Sequence, residues 1–165
     1  MAIVIAPAQL KAICPESPVS AVLPINSILT RTASITHLRA AMVIAQLAAS
    51  SHQFRAPEKD EAPWTSAPFP SRGWIGLSGR RSHRETAVAL GLDLLRQREL
   101  VDVRNVEVTA WFWNAHRLHD FSDIGDVDGC TRAMVGEATN ERLNLARVFH
   151  YRACRALAGA RELAA

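Results

Sequence analysis

The sequence predicts a mainly α fold in one domain spanning residues 1–165, with at most one short extended segment. Three observations carry that reading. Apolar residues recur at helical spacing in separate stretches along the chain, and helix-starting and helix-stopping residues punctuate the gaps between them. The one stretch that reads as extended is five residues long, Trp74 to Ser78. At 165 residues, 48% hydrophobic and 21% charged, the composition is that of a soluble globular protein with one substantial core. No apolar run is long enough to cross a bilayer, and Met1–Ala6 lacks the basic start of a secretory signal.

Taken in order, Pro7 to Ile13 predicts a short helix with Pro7 tolerated in its first turn, broken by Cys14-Pro15-Glu16-Ser17-Pro18. Between Val19 and Ala33, the spacing of Val22, Leu23, Ile25, Ile28 and Leu29 predicts a second helix, with Pro24 near its start. Thr36 is placed to cap a third helix running to about Ser51. Its apolar set is Leu38, Ala41, Met42, Ala45 and Ala48, small enough to permit close packing. Ser82-His83-Arg84-Glu85 has the spacing of a capping box and predicts a helix from His83 to Leu90, stopped by Gly91. Val103 to Arg117 reads as one helix with Val103, Val106, Ala110 and Trp113 on a stripe. Asp126 caps the next helix, and Asn140 caps a last one through Leu143, Ala146, Phe149, Ala153 and Leu157.

The central stretch, Ser71 to His83, carries three glycines within seven residues. Read as extended, Trp74 to Ser78 turns Ile75 and Leu77 one way and Trp74, Gly76 and Ser78 the other. Gly76 then leaves space where a ligand or another backbone approaches. A tight turn joining two core elements is the alternative.

In this frame Arg72, Gly73, Ile75, Leu77, Ser78, Gly79 and Arg80 resemble the cleft-floor motif of family 19 glycoside hydrolases. The likeness is to their short form, the phage and prophage endolysins related to class I chitinases. Further runs continue it in order: Ala45-Gln46-Leu47-Ala48, Leu92-Asp93-Leu94, Trp111-Phe112-Trp113-Asn114, and Tyr151 to Leu157. The resemblance implies a lysozyme-like helical domain with a substrate cleft. It also shows departures where sugar is handled. The general-acid Glu position holds Ser50, preceded by Ala49 in place of His. Two glycine positions hold His52 and Gln53, and the Gln, Asn and Tyr positions of the floor hold Gly76, Ser82 and His83. An Asn that binds substrate and places water in the family is Val135 here.

Inverting hydrolysis needs one protonated carboxyl and a second carboxylate to activate water. A serine hydroxyl is too weak an acid for the first role, and losing such help typically costs about 10²–10⁴-fold in rate. Glu58 and Glu61 are the nearest glutamates, with Glu58 the better-placed base, in a lobe shortened to about residues 56–70 that also holds Trp64 and Phe69. The expectation is therefore a pseudoenzyme, phage- or prophage-encoded, that acts by binding peptidoglycan or a protein partner. The alternative is an active peptidoglycan-cleaving enzyme using Glu58 or Glu61 with Ser78. Groove candidates are Trp74, Gly76, Ser78, Arg80, His52 and Asn140.

The net charge of +3 is almost wholly arginine and suits a polyanion, yet the Arg content lacks the aromatic interleaving of a nucleic-acid interface, so nucleic acid is not expected as a partner. His116, His119 and Asp120 have no further ligand beside them, so neither metal nor cofactor is expected. Three cysteines, Cys14, Cys130 and Cys154, cannot all pair within the chain, which points to reduced thiols and a cytoplasmic setting.

Overall fold

The computed structural model describes residues 1–55 and 69–158, and the regular structure among them is helical. α1 (Pro7–Ile13) is closed at its start by Gln9, whose Oε1 accepts the Ala6 N–H at 2.8 Å. A 3₁₀ turn, Val19–Ala21, leads into α2 (Val22–Arg31), with Pro24 in the first turn, where its missing N–H removes no helical bond. Thr36 starts α3 (His37–Ser50) as expected, accepting the Arg39 N–H at 3.2 Å. α4 (Arg80–Leu90) stops at Gly91, which takes the left-handed conformation (φ 65°, ψ 32°) that a side chain resists. There follow α5 (Leu100–Val103), α6 (Asn105–Ala115), α7 (His119–Ile124), α8 (Val127–Val135) and α9 (Asn140–Ala158). Asp126 caps α8 by accepting the Gly129 N–H at 2.8 Å.

α3 runs through the middle of the core. Every residue from Ala40 to Ala49 is buried, so the helix is enclosed all round rather than on one stripe. Its main neighbour is α9, and the small residues Ala41, Ala45 and Ala48 are among those buried on it. From α9 come Leu143, Ala146, Phe149, Ala153 and Leu157, the stripe its spacing predicted. Fully burying an aliphatic side chain of Leu or Ile size contributes about 1.5–3 kcal/mol. Gln46, the polar exception on α3, is satisfied: its Nε2 donates to Thr131 Oγ1 at 2.9 Å and to the Val127 carbonyl at 3.1 Å. Ion pairs tie α3 to α7, Arg39 to Asp123 at 2.6 Å, and α9 to α8, Arg147 to Asp128.

Several expectations are corrected. Trp74 to Ser78 is not extended. Arg72 and Leu77 exchange one pair of backbone bonds (3.0 and 2.8 Å) around a loop, Gly73 to Gly76, in which Gly76 N–H donates to the Gly73 carbonyl at 3.2 Å. Gly73, Gly76 and Gly79 take φ of 66°, 71° and 79°, which no strand adopts, so the tight turn wins over the extended run. Ile75 and Leu77 are nonetheless both buried. The capping box does not form: α4 begins at Arg80 behind Gly79, and Glu85 pairs with Arg81 (2.8 Å), a cation one turn back on the same face.

At the start of α9 the cap is Thr139, whose Oγ1 accepts the Arg142 N–H at 3.2 Å, and Asn140 is the first helical residue. Leu23 (79% exposed) is off the buried face of α2, and Val103 (73% exposed) belongs to α5, which Arg104 separates from α6. All three cysteines are free, and burial pushes the Cys14 and Cys130 thiols up to about 12. No helix among the described residues is long and apolar enough to cross a membrane. Glu58, Glu61 and Trp64 lie outside the described residues, as does the expected shortened lobe apart from Phe69 and Pro70.

Candidate functional site

A groove of about 740 Å³ opens where α3 ends. Its first wall is set by an unusual exit from the helix. After Ser51 the chain turns through His52, Gln53 and Phe54 with φ of 47°, 62° and 64°, three successive left-handed residues, none of them glycine. Such a conformation costs an L-residue roughly 1–2 kcal/mol. It is held by Ser51, whose Oγ accepts the Phe54 N–H at 2.8 Å and donates to the Leu47 carbonyl at 2.7 Å. The Gln53 N–H also returns to the Ala48 carbonyl at 2.9 Å. Phe54 is thereby buried edge-on against Trp74, ring centroids 4.9 Å apart. His52 and Gln53 thus hold a backbone shape that suits glycine better than either of them.

The second wall is the Arg72–Leu77 turn, gripped from both sides. From the α5–α6 corner, Asp102 Oδ1 accepts the Gly73 N–H at 2.9 Å, and Asp102 Oδ2 pairs with Arg72 Nη1 at 2.6 Å. Asn105 Oδ1 accepts the Trp74 N–H at 2.8 Å. The turn sits so close that a Cβ on Gly73 would lie 3.1 Å from Val101 Cγ1 and from Asn105 Oδ1. From α3, the Ser50 hydroxyl lies against three carbonyl oxygens, those of Gln46 (3.0 Å), Leu47 (3.2 Å) and Trp74. Gly76 backs onto the same side chain: a Cβ there would stand 3.7 Å from Ser50 Cβ.

Of the residues expected at the site, Ser50, His52 and Trp74 line the groove, and Gly76 sits directly behind Ser50. Ser78, Arg80 and Asn140 are exposed and do not line it. Val135 is exposed at the end of α8. The α5–α6 wall was missed altogether. Asp102, Arg104, Asn105 and Glu107 line the groove there, with Val103 and Val106 beside them and Pro24 opposite. Asp102, Arg104 and Asn105, interrupting an apparent apolar stripe, are the signal that could have found it.

Chemically, the arrangement favours contact over proton transfer. The Ser50 hydroxyl faces carbonyl oxygens and has no base among its hydrogen-bond partners in the described residues, so none of them draws its proton for nucleophilic attack. The two carboxylates on the described walls are both engaged by guanidiniums, Asp102 by Arg72 and Glu107 by Arg104. What remains for a ligand is a half-buried indole, apolar side chains beside it and a rim of polar groups.

The histidines weighed as metal ligands have other work. His116 stacks on Phe112 at 3.9 Å. His119 Nδ1 accepts from Trp113 Nε1 at 3.2 Å while its Nε2 donates to the Thr32 carbonyl at 2.5 Å. Among the described residues no three His, Cys, Asp or Glu side chains converge on a cation position.

No protein-family model matches the chain, and no curated protein matches it. Among solved structures it is similar to chitinase C from Streptomyces griseus. The TM-score is 0.61 at 20% identity, over 90% of this chain and 76% of that one. At that identity the likeness is one of fold. The mainly helical, lysozyme-like architecture expected from the sequence is the one the chain has, and it is chitinase-like.

Proposed function

We propose that this protein binds a glycan in the groove at the end of α3 without cleaving it. It is a catalytically degenerate relative of the chitinase-like endolysins whose target is peptidoglycan, or a protein partner held on the same surface. The observation that carries this reading is the state of the acid position. The resemblance puts a proton-donating carboxyl where Ser50 stands, and the Ser50 hydroxyl is spent on tying α3 to the Trp74 turn. Hydrolysis of a glycosidic bond needs an acid and a base on either side of it. Asp102 and Glu107 share one wall and are each neutralised by an arginine. Binding asks less: an aromatic face for a sugar ring, supplied by Trp74, and polar groups around it. The chitinase-like fold supports the glycan as ligand class, and the order of motifs supports a phage or prophage origin.

The test is retention of the protein on purified cell-wall sacculi, run beside release of a covalently attached dye. Retention without release is the expected outcome. Release by the wild type would move the assignment to the active hydrolase, and Glu58→Gln and Glu61→Gln would then identify its carboxylates. Neither retention nor release would end the glycan reading.

A further inference from the structure

Outside its buried stripe, α9 borders a second hollow, of about 700 Å³, between itself and α1. This hollow shares no lining residue with the groove at the end of α3. Val148, Tyr151, Arg152 and Arg155 stand three and four residues apart, which puts them on one face of α9. Ala12 closes the hollow from α1. The floor is apolar and open: Val148 is 45% exposed and Tyr151 62%, with the small side chains of Ala12 and Ala156 beside them. Apolar surface gathered in an exposed concavity marks a place where another molecule packs.

The rim is cationic. Arg147 is already matched, by Asp128. Arg152 and Arg155 have no ion-pair partner among the described residues. Neither hangs loose in solvent: the Arg152 guanidinium lies 6.0 Å from the Phe149 ring centroid, and that of Arg155 lies 5.8 Å from the Tyr151 centroid. Arg155 Nη1 also donates to the Tyr151 hydroxyl at 3.4 Å. Two long side chains are thus partly ordered before anything binds, which lowers the entropy that a partner must offset.

Shape separates the anionic partners that such charges suit. A lipid surface takes apolar side chains that project into it, whereas Val148 and Tyr151 line a hollow. Single-stranded nucleic acid takes a row of open rings, and here one ring is exposed, with a guanidinium over it. An amphipathic helix takes an apolar trough with charges along its edge, which is what Val148, Tyr151 and the two arginines make. At about 1.5 Å per residue the trough follows α9 for about 14 Å from Arg147 to Ala156, the length of roughly two to three turns of a partner.

We propose that the hollow between α1 and α9 is a docking surface for an acidic amphipathic helix of a partner protein. The helix packs its apolar anchors on Val148 and Tyr151. Its carboxylates pair with Arg152 and Arg155 through the two parallel bonds that a guanidinium offers. The site is separate from the glycan groove and stands or falls independently of it.

The test is fluorescence anisotropy of the full chain with a labelled helical peptide that carries leucines along one face and glutamates flanking them. One control peptide replaces each glutamate by glutamine, and the other replaces each leucine by serine. The wild type is expected to bind the parent peptide about tenfold more tightly than either control, and the margin over the glutamine control should narrow as salt rises. Arg152→Gln combined with Arg155→Gln should bring the parent peptide down to the level of the glutamine control. Val148→Ser should weaken the parent and the glutamine control alike. All three positions are exposed, so these variants should melt close to the wild type.

Amide shifts of the wild type, which need no variant, should move at Ala12, Val148, Tyr151 and Ala156 as the parent peptide is added. No saturable binding of that peptide, equal binding of the glutamine control, or shifts confined to other residues overturns the proposal. Tighter binding of a thymidine dodecamer or of phosphatidylglycerol vesicles, lost in the double arginine variant, also overturns it and gives the face to nucleic acid or to lipid.

Discussion

The two halves of α3 are built from one continuous helix and obey different rules. Along its buried length, from Ala40 to Ala49, contacts are apolar and the one amide is satisfied, so the position of each side chain is set by volume. At its C-terminus the contacts are hydrogen bonds to backbone carbonyls, the exit runs through left-handed residues, and Arg142 Nη2 donates to the Gln46 carbonyl at 3.1 Å. Packing can hold a fold after an activity has changed. A polar junction of this sort tracks what the surface is used for, because two of its bonds, Ser50 to Trp74 and Arg142 to Gln46, join residues remote in sequence.

The largest expected effect breaks the packed half. Leu47→Ala removes a fully buried side chain and should cost about 3 kcal/mol in urea-induced unfolding, within the usual range for such cavities. Any protein that still folds should keep its retention on sacculi. A cost below about 1 kcal/mol would show that volume does not govern this half.

Next comes the grip on the turn. Asn105→Ala strands the Trp74 N–H and should cost about 2 kcal/mol. It should also weaken sacculus retention, because the turn carrying Trp74 loosens. Lost stability with unchanged retention would separate the turn from the binding surface.

A change of opposite sign sharpens the contrast. His52→Gly and Gln53→Gly put glycine where φ is 47° and 62°, and each should stabilise the protein by about 1 kcal/mol in thermal melting. Stabilisation from deleting side chains is not available anywhere in the packed half. A loss of stability in both variants would mean that the side chains contribute more than the backbone shape costs.

The smallest effect is the response to pH, and it belongs to the buried frame. His83, His119 and His150 are each held below 6.5, the ordinary value for imidazole, chiefly because burial disfavours the charged ring. They stay neutral in the fold at a pH where the unfolded chain has begun to protonate them. Their contribution is therefore complete above 6.5 and is lost as pH falls through the lowered folded values. Asp123, exposed, and Asp128, half-buried, are held low by Arg39 and Arg147 and add a minor loss only below 3.8. Denaturation midpoints that stay flat from pH 7 to 5 would contradict this account.

The packed half was largely legible in the sequence, because helical spacing and caps are local signals. Thr36, Asp126 and Gly91 act within one turn of where they stand, and the α9 stripe needs only its own residues. The groove was legible on one wall. Ser50, His52 and Trp74 were placed by the likeness to chitinase-like endolysins, whereas Asp102 and Asn105 act on a turn about thirty residues earlier, which no periodicity reveals. Two local signals failed for a related reason. Ser82 offered a helix cap, and Trp74 to Ser78 alternated like a strand, but the positive φ of Gly76 and Gly79 closed the turn and started α4 sooner.

The hydroxyl that fastens the Trp74 turn onto α3 also constrains which side chains position 50 can carry. A glutamate at position 50 would have no proton to offer the Trp74 carbonyl once ionised, and its longer stem would press on the backbone at Gly76. An acid at position 50 thus requires the turn to be rebuilt in the same step.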